Sequence, residues 1–121
     1  MALPNFPELT REISANLAPL RAGQPDLMKG FGALGKAAMA PGALDAKTKE
    51  LIALGIGVAA RCDGCIGFHS QALVRLGASE QELQEMLGIA VYMGGGPSLM
   101  YAANALAAFQ QFRDQSAASA S

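Results

Sequence analysis

Both cysteines of this 121-residue chain lie in one short motif, Cys62-Asp63-Gly64-Cys65, and the only histidine, His69, follows four positions after the second. A disulfide across two intervening residues closes too small a loop to constrain the unfolded chain much. The pair therefore points to redox or metal chemistry rather than to a structural staple. The motif opens a predicted helix, where free backbone amides and the positive end of the helix dipole favour a thiolate over a thiol. Residues four apart share a helix face, so His69 is placed to take the proton of Cys65.

A third group comes from the preceding helix. If the helices on either side of residue 61 form an antiparallel hairpin, a rise of about 1.5 Å per residue brings Glu50 within about one turn of His69. Glu50 borders the ten-residue apolar run Leu51 to Ala60, so its carboxylate is expected to enter the interior, where a charge needs a partner. The imidazole is that partner, giving a nucleophile, base and orienter set. Plainer readings stand beside this one: two inert buried thiols, a core histidine and a solvated glutamate. Zinc is a rival too, since Cys62, Cys65, His69 and Glu50 make a possible mixed ligand set. Structural zinc sites usually add a second Cys or His pair, which this chain lacks. No metal and no cofactor is therefore assigned.

Helical spacing runs through the whole sequence, and no alternation of apolar and polar residues marks a strand. An all-α bundle of about six helices follows. Phe6, Leu9, Ile13, Leu17 and Leu20 form a first stripe, ended by Ala22-Gly23-Gln24-Pro25; Leu27, Phe31, Leu34 and Ala38 form a second, stopped at Pro41-Gly42. Asp45 is the expected N-cap of a third helix that runs to about Ala60 and reads as buried all round. The fourth presents Cys65, Phe68, His69, Ala72, Leu73 and Leu76 inward and ends at Gly77. Ser79 with Glu82 makes a capping box for the fifth, whose stripe is Leu83, Met86, Leu87, Ala90 and Val91. Gly94 to Gly96 stop it, and Pro97 opens a sixth that buries Leu99, Ala102, Leu106 and Phe109. One domain is expected over 1–114, with a frayed tail over 115–121.

Composition narrows the partners. Nine Lys and Arg against ten Asp and Glu, without a run of one sign, make a poor footprint for nucleic acid or an anionic membrane. The longest apolar stretch is half the roughly 20 residues a bilayer requires. Apolar residues make up 51% of the chain and charged residues 16%, a surplus that self-association would cover. The start MALPNFPELTREI lacks the basic and apolar parts of a secretory signal, and a cytoplasmic location is expected.

The array Glu50, Cys62, Cys65 and His69, within KELIALGIGVAARCDGCIGFH, resembles the signature of the alkylhydroperoxidase AhpD-like branch of the carboxymuconolactone decarboxylase family. The resemblance implies an AhpD-like single-repeat helical bundle assembling as a trimer or hexamer, and a thiol-dependent peroxidase acting on hydrogen peroxide or organic hydroperoxides. It further implies Cys65 as the peroxidatic thiol, Cys62 as the resolving thiol, and His69 with Glu50 as the proton relay. The implied reductant is an external dithiol, on a lipoyl or thioredoxin-like protein. Better-studied members also carry a histidine between the cysteines, where this chain has Gly64. Two other functions are weighed: a non-catalytic thiol-disulfide sensor or adaptor, and a carboxymuconolactone-type decarboxylase, whose chemistry needs no cysteine pair.

Remaining motifs read as structural. Gly30-Phe31-Gly32-Ala33-Leu34-Gly35 fits the dinucleotide fingerprint in letters only, since no strand precedes it. Gly94 to Gly96 lack a P-loop lysine and serve as a helix stop. Met28, Met39, Met86, Met93 and Met100, with Tyr92 and Tyr101, are expected to fill the core rather than line a pocket.

Overall fold

A computed structural model describes residues 4–120; residues 1–3 and Ser121, the ends of the expected domain and tail, lie outside the described residues. Six helices follow in order: α1 Phe6–Gly23, α2 Pro25–Met39, α3 Ala46–Ala59, α4 Asp63–Arg75, α5 Glu80–Gly94 and α6 Gly96–Ala120. There is no strand among the described residues. Local chemistry sets most boundaries. Asn5 caps α1 by accepting from Glu8 N at 3.0 Å, and Asp45 caps α3 by accepting from Thr48 N at 2.8 Å. Ser79 and Glu82 form a reciprocal capping box on α5.

The core lies where α3, α4 and α5 pack around α6. Its interior comprises Leu54 and Val58 of α3, Ile66 and Leu73 of α4, Leu83 and Leu87 of α5, and Ala102, Ala105, Ala108, Phe109 and Phe112 of α6. The alanines of α6 let neighbouring helices approach closely, and the two phenylalanines fill the space between them. Phe6 brings α1 into the same core. Gln111 fixes that end of α1, accepting from Phe6 N at 2.8 Å and donating to Pro4 O at 3.1 Å.

Several expected faces differ. α3 is not buried all round: Leu54, Gly57 and Val58 are, whereas Ile52 and Ile56 are exposed. Its apolar run covers more of the circumference than α4 and α5 can, so one side is left open. The buried face of α4 is Ile66, Gly67, Ser70 and Leu73. Cys65, Phe68, His69 and Ala72 lie half-buried, and Leu76 is exposed. None of α2 is buried, and its stripe of Leu27, Phe31 and Leu34 faces solvent. α2 is held at its end by Lys49 of α3, whose ammonium donates to Ala38 O at 3.0 Å and Ala40 O at 2.6 Å. Leu99 is also exposed, and residues 115–120, expected as a frayed tail, continue α6 as helix. Among the expected core residues, Met93, Met100 and Tyr92 lie on the surface.

An ion pair between Lys47 and Glu82, 2.8 Å long, ties α3 to α5. The hydrogen bond from Lys47, joined by the one from Ser79, holds the Glu82 carboxyl below its ordinary value of 4.5. The same pair raises Lys47 above 10.5. The hydrogen bond with Thr48 lowers Asp45 below 3.8. For the two carboxyls the folded state binds protons less readily than the unfolded chain, so their support is present above the ordinary value and fades as pH falls through the folded one. For Lys47 the support is present at lower pH and fades as pH rises through its elevated value. Melting temperature is therefore expected to fall on acidification below about pH 4.5, and Glu82→Gln should flatten part of that fall. An acid limb identical in wild type and variant would contradict this assignment.

Candidate functional site

The site is built on the turn between α3 and α4. α3 ends when Arg61 takes a left-handed conformation, φ 57°, so that Cys62 N donates to Gly57 O at 3.0 Å and Arg61 N to Val58 O at 3.1 Å. This double bond pattern satisfies the last carbonyls of α3 and reverses the chain. Cys62 then becomes the N-cap of α4, its sulfur accepting from Cys65 N at 3.1 Å. Cys62 and Cys65 are joined as a disulfide, with Cα atoms 5.2 Å apart. The bonded pair thus occupies the end of α4 where free amides and the dipole stabilise negative charge on a sulfur.

Antiparallel packing brings Glu50 to His69 across the hairpin. Glu50 Oε2 lies 2.6 Å from His69 Nδ1. An ionised carboxylate can only accept, so with Glu50 in that form Nδ1 is the donor and Nε2 is the nitrogen free to exchange protons elsewhere. The glutamate side chain is 15% exposed and the histidine 31%, which sets the acid inside and opens the ring toward solvent. His69 follows Cys65 by one turn on the same half-buried side of α4. Of the four residues the sequence singles out, the structure therefore joins Glu50 to His69 and Cys62 to Cys65. Neither sulfur is hydrogen-bonded to His69 in this disulfide-bonded state. No group of three or more His, Cys, Asp or Glu side chains among the described residues is arranged to hold a metal ion.

Glycines govern the spacing around the cysteines. A Cβ on Gly57 would come 3.0 Å from Cys65 Cβ, so α3 and α4 touch at the motif because residue 57 has no side chain. On the other flank, a Cβ on Gly64 would meet Ile13 Cδ1 at 3.1 Å, and one on Gly67 would meet Thr10 Cγ2 at 2.6 Å. α1 thus lies along a glycine seam of α4, with Ile13 against the residue between the cysteines. Gly57 is not singled out from the sequence, and Ile13 is placed there only in the apolar stripe of the first helix. The available signal is Gly57, one of two glycines in the run Leu51 to Ala60, eight residues before Cys65.

The sequence profile of the carboxymuconolactone decarboxylase family matches residues 25–108 of this chain. The chain belongs to the carboxymuconolactone decarboxylase family. Among solved structures, a family protein from Legionella pneumophila in its apo form is 59% identical, covers 89% of this chain and 96% of its own, and superposes with a TM-score of 0.88. A family protein from Thermotoga maritima, described as a candidate participant in the antioxidative response, is 32% identical. It covers 98% of this chain and 97% of its own, with a TM-score of 0.77. An uncharacterised protein of Cupriavidus necator is 43% identical over 98 residues, 81% of this chain and 87% of its own length. The all-α fold is thus that of the family. No helix among the described residues is long and apolar enough to cross a membrane.

The contact at Gly57 carries a test. Gly57→Ala forces a methyl group against Cys65 and should destabilise the fold by about 1–3 kcal/mol, the usual cost of overpacking. Gly88→Ala, whose new methyl meets nothing within 4 Å, should instead stabilise α5 by up to about 1 kcal/mol. Urea unfolding of both variants reads the difference, and a neutral Gly57→Ala would mean that the α3–α4 approach is not constrained there.

Proposed function

We propose that this chain is a thiol-dependent peroxidase of the AhpD-like branch, reducing hydrogen peroxide or organic hydroperoxides. The observation that carries the reading is the Cys62–Cys65 disulfide at the start of α4, one turn from a histidine hydrogen-bonded to Glu50. The description of the Thermotoga maritima relative as a candidate participant in the antioxidative response supports the same direction.

In the reduced protein, Cys65 gives its proton to His69 Nε2 while Glu50 steadies the ring through Nδ1. The Cys65 thiolate attacks one peroxide oxygen, the O–O bond breaks, and the departing oxygen takes the proton from His69 as water or an alcohol. Cys65 is left as a sulfenic acid. The Cys62 thiolate then attacks that sulfur, hydroxide leaves and is protonated to water, and the disulfide forms. An external dithiol, on a lipoyl or thioredoxin-like protein, attacks one sulfur and restores both thiols as it is itself oxidised. The thiols carry the electrons, so no resident cofactor is required, and a reducing cytoplasm would supply the dithiol.

Assembly belongs to the same reading. Leu27, Phe31 and Leu34 of α2 are exposed, as are Ile52, Ile56, Ile89 and Met93 around an apolar groove of about 350 Å³ between α3 and α5. Apolar surface on this scale favours self-association, and a trimer or hexamer is the proposed form.

Peroxide consumption with a dithiol reductant tests the chemistry. It should vanish in Cys65→Ser and fall by about 10²-fold or more in His69→Gln, the range of a lost general acid–base. Full activity in Cys65→Ser would remove the mechanism. Stoichiometric oxidation without turnover, with a change of size on a sizing column, would instead favour the redox sensor.

A further inference from the structure

The same backbone turn occurs twice around α4. Between α3 and α4 it is closed by Cys62 N to Gly57 O and Arg61 N to Val58 O; between α4 and α5, by Ala78 N to Leu73 O and Gly77 N to Val74 O. Each needs one left-handed residue, and these are Arg61 at φ 57° and Gly77 at φ 75°. Glycine adopts this conformation without steric penalty, which is why it usually holds the place. Arg61 is the only non-glycine residue with positive φ among those described. A bulky side chain is thus kept at a strained position, and such strain gathers where a residue's chemistry is used.

The arginine adjoins a reacting sulfur. Its Cα lies one peptide, about 3.8 Å, from that of Cys62. Its side chain is exposed. Among the described residues no ion pair or side-chain hydrogen bond engages the guanidinium. Asp63 follows on the other side of Cys62, but it occupies the first turn of α4, where the helix dipole offsets a negative charge. The cation beside Cys62 is therefore without an ion-pair partner among the described residues. A permanent planar cation of this kind attracts carboxylate, sulfonate or phosphate groups.

We propose that Arg61 determines which dithiol reopens the Cys62–Cys65 disulfide, and that it selects an anionic one. The proposal rests on the redox reading of the cysteine pair. A thiolate of the dithiol attacks Cys62 sulfur, the bond between the cysteines breaks, and Cys65 leaves as a thiolate that is protonated through His69. The second thiolate of the reductant then attacks the sulfur of the mixed disulfide bound to Cys62. Cys62 leaves as a thiolate, the reductant becomes a disulfide, and two electrons have passed to the protein. Arg61 does not enter these bonds. It draws the negative group of the reductant to the sulfur under attack.

A matched pair of reagents reads this directly. Dimercaptopropanesulfonate and dimercaptopropanol carry the same vicinal dithiol and differ in one charged group. Relative to the neutral reagent, the sulfonate should reduce the disulfide of the wild-type protein about threefold faster or more at low ionic strength, with the advantage shrinking in concentrated salt. Arg61→Gly should abolish the advantage and Arg61→Lys should keep most of it. The glycine variant suits φ 57°, so its thermal melt should match or exceed wild type and folding does not confound the comparison. An unchanged sulfonate-to-alcohol ratio in Arg61→Gly would overturn the selection alone. A disulfide that neither reagent reduces would overturn the redox reading and the selection together.

Discussion

The hydrogen bond between Glu50 and His69 is the contact on which the rest of this site depends, and much of the local architecture serves to make it. A buried carboxylate is costly unless paired, so the α3–α4 hairpin is favoured in the register that brings the acid to the ring. That register is fixed at three levels. The Arg61 turn sets where α3 stops. The absent side chain of Gly57 sets how closely the helices approach. The core residues Leu54, Val58, Ile66 and Leu73 set their rotation. Once the ring is held through Nδ1, its other nitrogen is the one left to exchange protons.

The two faces of α4 divide the work. Ile66, Gly67, Ser70 and Leu73 are buried and anchor the helix to the bundle. Cys65 and His69 lie half-buried beside them, within reach of solvent. The outer layer of α2 and the open side of α3 is different. Its apolar side chains are arranged on regular helical stripes, yet within one chain nothing covers them. The proposed assembly of copies would cover these stripes.

Much of this was legible in the sequence because it rests on short-range chemistry. Asp45, Ser79 with Glu82, and Gly77 mark helix ends through bonds made within a few residues, and the structure has them where the spacing predicts. The meeting of Glu50 and His69 follows from helix rise alone once a hairpin is assumed. What was not legible depends on neighbours. Periodicity shows that α2 and α3 have apolar faces but not which faces a single chain can cover, so Ile52, Ile56 and Phe31 emerge exposed. The buried face of α4 differs in register from the predicted one because Gly67 and Ser70, weak hydrophobic signals, are the residues that α1 and the core close over. The left-handed Arg61 could not be foreseen, since the usual signal at that position is glycine.

The central claim, that Glu50 and His69 act as one unit on Cys65, is tested most directly by the alkylation rate of Cys65 against pH. The protein would be reduced, in a Cys62→Ser background, with His69→Gln, Glu50→Gln and the double variant compared over about pH 5 to 9. The account predicts that each single substitution slows alkylation at neutral pH by about tenfold and that the double variant is little slower than either, because the two residues share one role. Rate profiles that superimpose on the parent would contradict it.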